Sequence, residues 1–427
     1  MRLVQWTKCT IAVLLAAFAC LPATGALPDG TVGAGLGIVI RRPADVDLQA
    51  VRAAGFRIVR TNFNWQSSET TPGTYDFKAM RRQADAMRRA GLRPMFILDY
   101  GNPLYSPPVR TNRYNVVTMR PAAPNDERSV AAFAAFAVAG ARAFAGYAPI
   151  WEIWNEPDVK HFWPPVGDPA AYGRLADRTC GALRAAQPGV TVIGPAVSQP
   201  PFTGIRDTSF VQQLSGKWMR CIDGFSAHPY SNTGDAANDL PNWQRLRGLV
   251  DAQVRSGRRP ALVNSELGHA SWQSVSEADQ ARYAVRAIVL NHAAGVTTNV
   301  WYEWQDAAED TGEIAHYGLL RADGTAKPAL AAIRTMAAEI GAMRFRCLAP
   351  ARDLATTAAV FSDPVGNAVA VVWSDRPGWW RPPAAASVSG VRGLSGKGLH
   401  VPGAVPIYSD PVYVHLHHVS ALCAAAR

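Results

Sequence analysis

From about residue 33 to residue 341 two kinds of stretch alternate along the chain. Short apolar, β-branched runs read as strands: Leu36–Ile40, Arg57–Phe63, Arg93–Asp99, Pro149–Trp154, Val190–Ala196, Gly224–His228, Ala261–Ser265 and Thr298–Trp304. Longer Ala/Arg-rich amphipathic stretches lie between them: Val46–Ala54, Phe77–Ala90, Ser129–Phe144, Ala170–Ala186, Trp243–Ser256 and Glu277–Ala294. Gly55, Gly91 and Gly295 follow three of these stretches, where a helix ending before a strand favours glycine. Eight strand–helix units over about 300 residues predict an α/β fold, a (β/α)8 TIM barrel. A doubly wound sheet is the alternative, but no GxGxxG follows the first strand. One connection is unusual: Tyr100–Pro124 is long, carries no clear helix and is expected to shape whatever opening lies above it.

After about Gly341 the pattern changes to short Val-rich runs separated by Gly, Pro and turn residues, as in Ala358–Phe361, Ala368–Trp373 and Val412–His417. This predicts a small C-terminal all-β, sandwich-like domain. The domain reading is 1–26 leader, 27–341 barrel and 342–427 β-domain, with no low-complexity linker and therefore a fixed interface.

Residues 1–26 read as a signal peptide. Arg2 and Lys8 precede an apolar stretch, Ile11–Leu21, and Ala23, Gly25 and Ala26 are small. The protein is therefore expected to be exported, periplasmic or secreted, with lipidation at Cys20 as the alternative. No second long apolar run follows, so no stable membrane span is expected. Of six cysteines, Cys180, Cys221, Cys347 and Cys423 lie beyond the leader, an even set that favours disulfides in an exported chain. Four cysteines allow three pairings, of which Cys180–Cys221 within the first domain and Cys347–Cys423 within the second are the expectation. The net charge of +10 comes from scattered Arg with no dense basic run. Nucleic acid is not an expected partner, and the charge reads as a solvated surface or as a match to an anionic substrate. Thirteen tryptophans, several beside acidic or amide residues, suit either core packing or the apolar faces of sugars.

In a barrel of this type the chemistry sits where strands end and βα-loops begin. The fourth strand ends Trp154-Asn155-Glu156-Pro157 and the seventh Asn264-Ser265-Glu266-Leu267. Each places one carboxylate at the rim, on opposite sides of the mouth. Glu303, Glu313 and Asp306 compete with Glu266, but its strand position is right. Two facing carboxylates meet the need of glycoside hydrolysis, one protonated to donate and one ionised to attack. Glu152 shares the parity of Glu156 and should point into the barrel, where Arg60 can neutralise it while orienting Glu266 or substrate. Cofactors are not implied, and no clustered Cys, His or Asp set suggests a metal.

The segment Trp151-Glu152-Ile153-Trp154-Asn155-Glu156-Pro157 resembles the acid/base signature of clan A glycoside hydrolases. The resemblance implies Glu156 as acid/base, Glu266 as nucleophile, retention through a covalent glycosyl-enzyme, and Asn155 on the sugar 2-hydroxyl. Arg60, His228-Pro229-Tyr230 and the aromatic platform Trp301-Tyr302-Glu303-Trp304 also resemble clan positions, with Trp304 as the stacking residue. Within the clan the chain is most similar to family 39 enzymes, which include bacterial endoglycosidases associated with exopolysaccharide production. That likeness rests on Trp65 to Phe77 with its Glu69, and on Asp99 to Tyr105, where Asn102 and Tyr105 are expected at the cleft. An endo-acting, monomeric enzyme on a polysaccharide is the resulting expectation. A non-catalytic carbohydrate-binding barrel and a transglycosylase using the same glutamates are its rivals.

Overall fold

The computed structural model describes residues 26–43, 46–113, 116–198, 209–230, 236–254, 257–350, 355–382, 387–401, 403–417 and 423. The expected leader, with Cys9 and Cys20, falls almost wholly outside them. No helix of the described residues is long and apolar enough to cross a membrane.

Eight parallel strands close into a barrel. They run Leu36–Val39, Ile58–Asn64, Arg93–Asp99, Ile150–Ile153, Thr191–Val197, Gly224–Ala227, Ala261–Leu267 and Asn299–Trp301. Each pairs with the next in sequence, and Leu36 opposite Asn299 closes the ring. All eight predicted strands are present. They are legible because both faces are covered, so the runs are apolar throughout rather than alternating. Gly55, Gly91 and Gly295 take φ of 105°, 70° and 78°, the left-handed turn that ends a helix.

Alternation along the strands sorts the barrel interior into layers. Val39, Ile58, Met95, Ile150, Ile193, Val263 and Val300 form one apolar cluster inside the barrel, with Leu27 and Tyr302 packed on it. Two residues further along their strands stand Arg60 and Glu152. The apolar cluster thus adjoins a polar pair directly beneath the mouth.

The long third connection folds into an antiparallel hairpin, Pro108–Arg113 with Val116–Pro121. Beyond the last barrel helix, Pro328–Ile340, the chain forms a six-stranded antiparallel sheet and a two-stranded ribbon. Its strand Ala368–Ser374 is buried on both faces. Val369, Val371 and Trp373 pack with barrel-helix residues such as Ile333 and Ala284. Ala370 and Val372 face the ribbon's Trp380, Val405 and Ile407. Both expected disulfides are formed, Cys180–Cys221 and Cys347–Cys423.

Candidate active site

Arg60 is the hub of the site. Its guanidinium is almost fully buried at 1% exposure. Nε–H donates to Glu152 Oε2 at 2.7 Å, Nη1 to Glu266 Oε2 at 2.7 Å and Nη2 to Asn155 Oδ1 at 2.8 Å. Burial opposes its charge, yet Glu152 and Glu266 hold it protonated above its ordinary range. A planar fork is the only side chain that can serve three acceptors in fixed directions. Glu152 does what a buried carboxylate must do and pairs with it.

Glu266 closes the seventh strand and spends both oxygens on the protein. Tyr230 Oη donates to Oε1 at 2.8 Å while Arg60 holds Oε2. Burial works to raise its pKa, but His228, Arg60 and the Tyr230 hydroxyl outweigh it and hold the carboxyl below its ordinary value. The group is an anion at neutral pH, aimed into the cleft.

Glu156 stands on a sharp turn just past the fourth strand. Trp154 and Glu156 both take left-handed φ, 72° and 49°. Such backbone costs energy in non-glycine residues and persists where surroundings over-determine it. Here Glu156 N donates to Ala196 O at 3.1 Å, and the Trp154 indole donates to Phe162 O at 3.0 Å. Trp154 is core: it is fully buried and packs on Trp163. His228 Nδ1 lies 2.7 Å from Glu156 Oε1, and Arg60 Nη2 approaches Nε2 at 3.4 Å. The guanidinium on that side leaves the Nδ1 proton pointing at Glu156. Burial lowers the imidazole pKa, but Glu266 and Glu156 raise it above its ordinary value. With Arg60 on its Oδ1, Asn155 keeps Nδ2 as a donor toward the cleft, which it lines.

Ligating atoms of Glu156, His228 and Glu266 lie within 4.8 Å of one another. Three such groups can hold a cation, but the Arg60 guanidinium already supplies positive charge against two of them. The cavity over them has a volume of about 840 Å³.

The structure brings Arg60, Asn155, Glu156, His228, Tyr230 and Glu266 together. It does not bring Asn102, Tyr105 or Trp304 to the cleft, which corrects three expectations. Asn102 is fully buried and its amide donates to Glu69 O at 2.9 Å. Tyr105 donates to Glu69 Oε1 at 2.5 Å and stacks on Trp65. The Trp65 indole binds the other Glu69 oxygen, so these residues knot the second and third βα-loops together. Trp304 is buried, edge-on to Phe56. The eighth strand ends at Trp301, the chain turns, and parity no longer predicts where Trp304 points. Tyr302 lines the cleft instead, two residues beyond the inward Val300.

Tyr302 belongs to a rim network that sequence reasoning missed. Arg41 Nη2 donates to Tyr302 Oη at 2.7 Å and to Glu303 Oε1 at 2.8 Å, and pairs with Asp310 at 2.6 Å. Burial pushes the Glu303 carboxyl up to about 7 against the pull of Arg41. The available signal was a basic residue two positions past the inward-facing Val39 of the first strand. The hairpin adds Asn112 and Arg120 to the cleft wall.

The barrel and its C-terminal sheet match a family 39 glycoside hydrolase from the gut symbiont Bacteroides cellulosilyticus WH2 with a TM-score of 0.73. The fold is that of the family 39 glycoside hydrolases. That match covers 89% of this chain and 80% of the other at 20% identity. A family 39 β-xylosidase from Caulobacter crescentus aligns with a TM-score of 0.63 at 19% identity, over 91% of this chain and 98% of its own. A family 30 endoxylanase from Clostridium papyrosolvens C71 aligns with 0.61 at 11% identity, over 92% and 98%. At these identities the likeness is one of fold. No protein-family model and no curated protein sequence matches the chain.

Proposed function

We propose that the protein is a retaining glycoside hydrolase acting on a polysaccharide. One observation carries the reading: an ionised Glu266 and a Glu156 joined to His228 approach within 4.8 Å. Carboxylates about 5 Å apart suit direct attack, whereas inverting enzymes leave room for water between them. Glu266 Oε1 or Oε2 attacks the anomeric carbon, and Arg60 and Tyr230 hold it in line. Glu156 protonates the leaving glycosidic oxygen, supplied by the proton it shares with His228. Glu156 then takes a proton from water, which releases the sugar from Glu266. Two inversions give net retention.

A bacterial exopolysaccharide cut internally is the substrate setting that the sequence resemblance favours. The cleft volume and the hairpin wall are compatible with a chain crossing the mouth. Two disulfides support an exported protein, and a leader at 1–26, a barrel at 27–341 and a β-domain at 342–427 remain the domain reading we propose. Proton NMR of the first-formed product tests the stereochemistry. The substrate's anomeric configuration should appear first and the other only by mutarotation. The opposite order would reject the double displacement.

A further inference from the structure

We propose that the cleft is built for a carboxylated polysaccharide, with Arg120 and Lys160 binding a sugar carboxylate beside Glu156. The inference deepens the glycosidase reading and rests on it. It starts from the charges that line the cavity. Each carboxylate there already has a partner on the protein: Glu266 has Arg60, Asp310 has Arg41 and Glu156 has His228. Arg120 and Lys160 line the same cavity, and among the described residues neither makes an ion pair. Among the described residues, the cleft therefore carries two cations that nothing within it neutralises.

They belong to one wall. Arg120 sits at the end of the hairpin with its guanidinium over the Tyr100 ring, 5.8 Å from the centroid. Tyr100 stacks on Phe162 at 5.7 Å and 18°. Phe162 follows Lys160 by two residues, on the loop that leaves Glu156. Asp99, beneath Tyr100, does not balance Arg120, because burial pushes its carboxyl up to about 8 and leaves it largely protonated at neutral pH. A guanidinium laid on an aromatic face keeps its edge free for a bidentate carboxylate. Lys160 is exposed and adds a movable second charge. A neutral chain bound here would cover both cations without pairing them, which costs affinity. Carboxylate-bearing sugars are thereby favoured and neutral chains disfavoured at the same wall.

Calorimetry on the Glu266→Gln protein tests this without turnover. The probes are oligouronates of glucuronic, mannuronic and galacturonic acid, their carboxyl-reduced neutral counterparts, and a sulfated oligosaccharide of similar length. At least one oligouronate should bind about ten-fold or more tightly than its reduced form. That advantage should shrink at high salt and vanish in Arg120→Gln and Lys160→Ala. Lys160 is a surface side chain, so its variant keeps the test alive if the hairpin variant misfolds. Equal or tighter binding of every reduced form overturns the proposal. So does an advantage that survives both substitutions, or sulfate bound as well as carboxylate by the same two residues. An oligouronate that binds by Arg120 and Lys160 but is never cut by wild type would overturn the glycosidase reading alone. A neutral chain cut faster than any acidic one would overturn this inference alone.

Discussion

His228 Nδ1 faces Glu156 Oε1 at 2.7 Å, at the centre of the site rather than at its rim. The imidazole is raised above 6.5 by Glu266 and Glu156, against its burial. A raised pKa means the proton is held below that value and lost as pH rises through it. The alkaline limb of kcat/KM should therefore lie above pH 6.5 in the wild type. In His228→Asn, kcat should fall about 10²-fold and the limb should move. A pH–rate profile with an unmoved limb would remove His228 from proton handling.

Tyr230 acts on the opposite limb. Glu266 is held below its ordinary value partly by the Tyr230 hydroxyl. A depressed carboxylate loses activity only as pH falls through its lowered pKa, so the wild-type acid limb should lie below pH 4.5. Tyr230→Phe removes one donor, raises the Glu266 pKa and should move that limb upward. The cost in kcat should be about ten-fold. Profiles of the two proteins on one aryl glycoside decide it.

Arg60 joins stability to activity. Arg60→Met would leave Glu152 buried without a partner and release Glu266. Breaking a buried pair from one side costs about 3–5 kcal/mol. Denaturant unfolding should show a loss of that order, with activity nearly abolished. Glu152→Gln together with Arg60→Met should recover part of the stability and none of the activity. Full activity in Arg60→Met would contradict the hub assignment.

Much of this was legible before folding, for physical reasons. Strands covered on both faces become unbroken apolar runs, so all eight barrel strands stood out. Glu156 was announced by its own neighbours, Asn155 and Pro157. Glu266 required only that the strands be counted correctly. Arg60 and Glu152 followed from inward parity, which placed two opposite charges in one dry layer. Parity fails in loops, and there the reading failed. Asn102 and Tyr105 turn away from the cleft because Glu69, on the neighbouring loop, offers them a buried acceptor. The network of Arg41 with Glu303 and Asp310 spans positions near both ends of the barrel sequence. No local pattern signals that these residues meet.

The eighth strand separates packing from contact with substrate. Tyr302 lines the cleft, whereas Trp304 lies in the core on Phe56. Tyr302→Ala should raise KM about ten-fold with the melting temperature nearly unchanged. Trp304→Ala should lose about 3–5 kcal/mol of stability. Steady-state kinetics paired with thermal unfolding checks both, and the reverse pattern would restore Trp304 as the sugar platform.

The central claim is that Glu266 attacks the anomeric carbon and Glu156 does not. An activated 2-fluoro glycoside of an accepted sugar, followed by peptide mass spectrometry, asks this directly. The account predicts one glycosyl adduct, on Glu266, and none in the Glu266→Gln protein. An adduct on Glu156 or Glu303, or wild-type turnover in Glu266→Gln, would contradict it.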